Sequence, residues 1–167
     1  MQNIFLSIGS NLGNKVKALR SSITLVGEQM GKVLQISAVY ETEPWGVKDQ
    51  DNFYNIVVNI ESHLSANELL TKIHWIEKEL GRERFEKWGP RRIDIDILYM
   101  DQLIFNADSL TIPHGQLYNR NFVLVPLVEI APEFVDPVTK TTSSYLLNKC
   151  PDNGKITRKE QLDNLNL

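Results

Sequence analysis

The sequence predicts an α+β fold in the order strand, helix, strand, strand, helix, strand, on three observations. Two blocks repeat apolar residues at helical spacing, Val16 to Met30 and Leu69 to Leu80. Each is flanked by short β-prone runs. The last run, Ile93-Asp94-Ile95-Asp96-Ile97, alternates strictly at the two-residue period of a strand.

Ile4 to Ile8 is apolar and β-prone, and Gly9 closes it. Gly9-Ser10-Asn11-Leu12-Gly13-Asn14-Lys15 reads as a strand-to-helix turn with Asn14 as the cap. It is not a phosphate loop, because Asn14 separates Gly13 from Lys15 and Val16 stands where Ser or Thr is needed. Val16, Leu19, Ile23, Val26 and Met30 mark the first helix, and Gly31 ends it. Lys32 to Tyr40 reads as the second strand. Glu41 to Asn52 reads as a loop, with Trp45 either tucked over the core edge or riding on an aromatic flap.

Phe53 to Ile60 is the third strand. Tyr54, Ile56, Val58 and Ile60 form its core face; Phe53, Asn55, Val57 and Asn59 form the other. Ser65 and Glu68 make a capping box for the second helix, which Gly81 terminates. In the fourth strand Ile93, Ile95 and Ile97 share one face and Asp94 and Asp96 the other. Beyond Tyr99 a turn at Met100 to Gln102 leads to a return strand, Leu103 to Phe105. A short helix over Val123 to Ile130, another over Ser143 to Leu147 and a loose polar tail from Pro151 to Leu167 follow. This is the ferredoxin-like β-α-β-β-α-β order, an antiparallel sheet with both helices on one face and long loops able to fold over the other, extended by a C-terminal hairpin and short helices.

With 167 residues and no repeats or linker, a single domain spanning 1–167 is expected. The net charge of -3 argues against a general nucleic-acid binder, which needs a basic surface. One cysteine, Cys150, excludes an intrachain disulfide and a cysteine-based metal cluster. No apolar run approaches a membrane span, and no basic leader precedes the first strand. A cytoplasmic, membrane-free monomer is expected.

The chemistry gathers at the fourth strand. Two carboxylates on one strand face repel unless a cation lies between them. Oxygen-only ligands suit Mg²⁺, which completes its shell with water and phosphates. A half-buried strand with a solvated acidic face gives the same pattern. The loop before the strand shifts the balance, because Arg82, Arg84, Lys87, Arg91 and Arg92 crowd around Phe85 and Trp88. Guanidinium forks beside a metal-holding acid pair match a metal-bound polyphosphate. Phe53 and Asn55 share a face that can stack on a flat ring and bond its edge, although a plain sheet face explains them as well.

Arg82-x-Arg84 followed by Trp88-Gly89-Pro90-Arg91-Arg92-Ile93-Asp94-Ile95-Asp96-Ile97-Leu98 closely resembles the signature of the 6-hydroxymethyl-7,8-dihydropterin pyrophosphokinases of folate biosynthesis. Gly9 to Gly13, Tyr40 to Pro44, Phe53-Tyr54-Asn55, Pro113-His114 and Asn119 to Leu127 extend the likeness from about Ile4 to Pro137. The resemblance implies transfer of pyrophosphate from ATP to the pterin hydroxymethyl group, with release of AMP. It implies that Asp94 and Asp96 hold two Mg²⁺ ions and that Arg82 and Arg91 meet phosphates during catalysis. Glu77, Arg84, Trp88, Arg91, His114 and Arg120 are then expected at ATP. Phe53 and Phe122 would sandwich the pterin, with Thr42, Pro44 and Asn55 around its edge. Two rivals use similar parts. A palm-like nucleotidyltransferase also pairs aspartates on such a sheet but wants a basic track. A ligand-sensing module has no evident use for an acid pair beside an arginine-rich loop.

Overall fold

Nine residues of unbroken extended chain begin the molecule, because Ile4, Leu6 and Ile8 need a core on one side and small residues suffice on the other. In the computed structural model, which describes residues 1–44, 49–82 and 90–159, this strand is β1 (Gln2–Ser10). It runs antiparallel between β4 (Phe53–Ser62) and β5 (Asp94–Met100). With β3 (Tyr40–Thr42) and β8 (Ile156–Arg158), the order β5-β1-β4-β3-β8 and β2 (Lys32–Ile36), which also pairs with β4, make a sheet of six strands. Strands β1, β2, β4 and β5 with two helices give the expected ferredoxin-like core.

Helix α1 (Lys15–Gln29) starts where expected, with the Asn14 side chain accepting from the Lys17 N–H. Helix α2 (Ala66–Glu79) carries the full capping box of Ser65 and Glu68. Gly81, at φ +76°, supplies the left-handed turn that ends it. The buried faces of both helices lie against Ile4, Leu6, Ile8, Ile56, Val58, Ile60, Ile93, Ile95 and Ile97, which form the main core.

Four expectations are corrected. The strand expected over Lys32 to Tyr40 is broken: β2 stops at Ile36 and β3 (Tyr40–Thr42) starts afresh. Between them the Ser37 hydroxyl accepts from the Val57 N–H, so a side chain takes over a ladder bond. The return strand expected at Leu103 to Phe105 forms later, as β6 (Phe105–Ala107), and pairs with β7 (Leu110–Ile112) away from the main sheet. The second sheet face is not left to loops. Helices α3 (Asn121–Ile130) and α4 (Ser143–Lys149) cover its far half, burying Phe5, Val57, Leu98, Tyr99, Val123, Leu124 and Leu127 in a second core. Finally, the expected loose tail includes β8 (Ile156–Arg158), which pairs with β3.

The reason for the second core is compositional. Helix α3 is apolar on most sides, so it cannot rest on solvent. A register shift beside Phe5 assists, since Phe5 faces Tyr99 while Leu6 faces Ile97. That bulge turns Tyr99 from the face of Ile95 and Ile97 into the second core. What remains uncovered is the near half of this face, where Ser7, Gly9, Asn55, Asp94 and Asp96 lie.

Candidate active site

Strand register builds the floor. Gly9 of β1 stands between Asn55 of β4 and Asp94 of β5; two residues along, Ser7 stands between Val57 and Asp96. Side chains two apart share a face, so Asn55, Asp94 and Asp96 line one surface over a central strand kept low by serine and glycine. A Cβ on Gly9 would lie 2.7 Å from Asn55 Oδ1. Sequence reasoning passed over Ser7 and Gly9. Their signal was small residues alternating with Leu6 and Ile8.

Two clefts meet over this floor. The first, about 230 Å³, lies between Thr42, Phe53 and Asn55 on one side and Arg120 and Phe122 on the other. The second, about 380 Å³, runs along α2 past His74 and Glu77 to the β6–β7 turn at Asp108 to Thr111. Arg82, Asp94, Asp96 and His114 line both. That turn was also missed, having no distinctive residue pattern.

The acid pair is surrounded by cations. Asp94 Oδ1 accepts from Arg82 Nη1 at 2.8 Å, and Asp94 Oδ2 from Arg91 Nη1 at 2.7 Å. Arg82 also pairs with Glu77, whose Oε1 accepts the Ile95 N–H at 3.0 Å. Glu77 is buried, and burial raises its pKa against the pull of Arg82. Asp96 has His114 Nε2 and Arg120 Nη1 each at 3.9 Å from Oδ2. Its pKa is raised, first by burial and then by the charge of Asp94. Burial and the nearby Arg120 push His114 down to about 4, so its imidazole is neutral at pH 7. Its Nδ1 accepts from the Gln116 N–H at 3.2 Å, which leaves the proton on Nε2, facing Asp96.

The first cleft is equally specific in its polar groups. The Asn55 Nδ2 donates to Thr42 Oγ1 at 2.7 Å, leaving the threonine hydroxyl proton and the amide oxygen for a ligand edge. Phe53 and Phe122 line the same cleft from different elements. Pro44 is half-buried beside Glu43; among the described residues Glu43, not Pro44, lines the cleft. Arg84 and Trp88 lie outside the described residues, as does Trp45.

Asn11 is a further residue that sequence reasoning left unassigned. Its side chain accepts the Arg91 N–H at 2.9 Å and donates to Gln50 Oε1 and the Asp51 carbonyl. It thereby fixes the backbone at Arg91 to the stretch leading into Phe53.

Acidic residues beside fixed guanidiniums, on a sheet with one cleft at each side, define a phosphoryl-transfer enzyme on a ferredoxin-like core. The profile described as 7,8-dihydro-6-hydroxymethylpterin-pyrophosphokinase (HPPK) matches residues 5–132. The chain belongs to that family. It is 39% identical over 138 residues to the 2-amino-4-hydroxy-6-hydroxymethyldihydropteridine pyrophosphokinase of Aquifex aeolicus, covering 83% of this chain and 86% of that protein. It is 40% identical over 149 residues to the folic acid synthesis protein fol1 of Pneumocystis carinii, covering 89% of this chain but only 20% of that longer protein. The crystal structure of wild-type Plasmodium falciparum HPPK-DHPS shares the fold at TM-score 0.74 and 18% identity, over 89% of this chain and 44% of that one. Among the described residues no helix is long and apolar enough to cross a membrane.

Proposed function

We propose that this chain transfers the pyrophosphoryl group of ATP to the hydroxymethyl oxygen of 6-hydroxymethyl-7,8-dihydropterin and releases AMP. The observation that carries the reading is the shared wall of the two clefts. A nucleotide along α2 and a flat acceptor beside Phe53 and Phe122 would meet over Asp94 and Asp96. In the reaction the hydroxyl oxygen bonds to the β-phosphorus, the bond from that phosphorus to the α–β bridging oxygen breaks, and AMP leaves with the electron pair. The alcohol proton passes to Asp96 or to solvent.

The acid pair fits Mg²⁺. Its donors are oxygens only, and Asp96 is strained electrostatically by burial beside Asp94. Among the described residues no cluster of three or more acidic, histidine or cysteine side chains could hold a metal alone. Asp94 and Asp96 would hold the two Mg²⁺ ions expected to arrive with ATP. When bound, the ions supply charge neutralisation and in-line alignment of the phosphates.

The chain's own groups do the rest. Arg82 and Arg91, anchored at Asp94, present guanidinium forks that would meet the triphosphate oxygens. Arg120 keeps its charge although burial lowers its pKa, and with neutral His114 it faces the phosphate path. Glu77 holds the end of α2 to β5 and orients Arg82 on the ATP side. Arg84 and Trp88 are assigned to ATP through the family motif they share. Phe53 and Phe122 stack on the pterin ring, and Thr42 and Asn55 bond its edge, with Pro44 shaping the rim. Positioning and fixed charge are sufficient for this transfer without a dedicated base.

The test is to mix the protein, Mg·ATP and the pterin alcohol and separate the nucleotides. AMP should form in equal amount with diphosphorylated pterin, and Asp96→Ala should abolish it while the circular dichroism spectrum is retained. ADP as the main product, or undiminished turnover by the folded variant, would overturn the assignment.

A further inference from the structure

The family match spans residues 5–132, and the chain beyond it returns to the acceptor cleft. Residues 152–159 touch both of its walls. On one side Asp152 Oδ2 accepts the backbone N–H of Asn121 at 3.1 Å, and the Gly154 carbonyl accepts from Asn121 Nδ2 at 2.9 Å. Asp152 Oδ1 also accepts the Gly154 N–H at 2.9 Å, so the turn that presents these acceptors is closed on itself. Asn121 opens α3, and Phe122 follows it directly. An acid facing the first N–H of a helix is also favoured by the helix dipole.

On the other side the same segment becomes β8. Ile156 pairs with Thr42, Thr157 with Glu41 and Arg158 with Tyr40. The Lys159 N–H donates to the Val39 carbonyl at 2.8 Å, and its ammonium meets Glu41 Oε2 at 2.6 Å. Thr42 in turn pairs with Phe53 across β3 and β4. Within eight residues the chain therefore grips Asn121, beside one stacking ring, and Thr42, beside the other.

We propose that residues 152–159 are a strap that sets the spacing of the acceptor site, with Asp152 and Asn121 as its positioning residues. The inference rests on the pterin reading given above. Phe53 is fixed by the sheet, whereas Phe122 stands on the first turn of a helix packed over a different part of that sheet. Glu129 ties the far end of α3 to β3, through the Ala38 N–H at 2.8 Å and the Tyr40 hydroxyl. The strap ties the near end, where the slot for a flat ring opens. A ring sandwiched between two faces binds well only if the gap is set beforehand, since ordering it on binding costs affinity. The nucleotide cleft along α2 shares none of these bonds.

The experiment uses the full chain and measures affinity for the pterin alcohol and, separately, for a non-hydrolysable Mg·ATP analogue. Asp152→Ala, Asn121→Ala and Thr157→Pro should each weaken pterin binding roughly five- to tenfold, the effect of losing a bond or two to a buried partner. Binding of the ATP analogue should be unchanged. Asp152→Asn keeps one acceptor oxygen and should recover much of the loss, which a merely disrupted fold would not show. Thr157→Pro removes a backbone donor from a strand and is the variant most exposed to misfolding; Asp152→Ala and Asn121→Ala decide the matter without it. Unchanged pterin affinity in these two, or equal weakening of both ligands, overturns the strap. Failure of the unaltered chain to bind the pterin at all would instead sink the functional reading.

Discussion

Gly9 has no side chain, and the proposed acceptor site depends on that. Asn55 reaches Thr42 across the space that a Cβ at Gly9 would enter, 2.7 Å from the amide oxygen. The contact is with the far end of the Asn55 side chain, so Gly9→Ala would turn the amide instead of breaking the sheet. The Thr42 hydrogen bond and the amide oxygen offered to a ligand would be lost together. We expect Gly9→Ala to raise the KM for the pterin by about tenfold or more, as for a site that loses a paired polar group, with ATP affinity little changed. Steady-state kinetics with each substrate varied in turn checks this; a loss confined to ATP would remove the role given to Gly9.

Asp136 shows the same dependence on a single group, but for a whole element. It is fully buried and accepts from the Tyr99 and Tyr118 hydroxyls at 2.8 and 2.9 Å and from the Val138 and Thr139 N–H groups. It thus pins β5, the turn before α3 and the loop before α4 to one another. Burial alone would raise its pKa, but these four donors outweigh burial and hold it below the usual 3.8. A carboxyl with a lowered folded pKa contributes stability that is present above pH 3.8 and lost as pH falls through the folded value. Asp136→Asn should cost roughly 2–3 kcal/mol at neutral pH. The cost should shrink as pH drops below that range. Urea melts of both proteins from neutral pH down through the acid range below 3.8 test it; a pH-independent difference would show that the charge is irrelevant.

At the scale of the molecule, one sheet serves two cores and two clefts. Helices α1 and α2 cover one face; α3 and α4 cover half of the other, and the uncovered half is the site. The proposed function requires a negatively charged triphosphate to approach Asp94 and Asp96, which only a cation makes favourable. Mg·ATP at a hundred times its Kd should stabilise the fold by about 2.7 kcal/mol. Chelation of the metal should abolish most of that gain. Thermal melts with ATP, with and without excess EDTA, measure it, and an equal shift in both conditions would refute the metal role of the acid pair.

Much of this was legible from the residues alone. The periods of Val16 to Met30 and Leu69 to Leu80, the Ser65 cap and the alternating Ile93 to Ile97 run dictated the core order, because local sequence decides which face of an element is apolar. The acid pair and its arginines were legible for a similar reason: like charges in a strand demand an opposite charge. What no local pattern contains is the register that sets Gly9 between Asn55 and Asp94, or the return of residues 152–159 to Thr42 and Asn121. Asp136 likewise draws its donors from separate parts of the chain. The sequence by itself determined the core elements, the family motif and the placing of an acid pair beside arginines. Only the tertiary structure decided which small residues, turns and late segments stand around it, because those contacts are made by chain segments far apart in sequence.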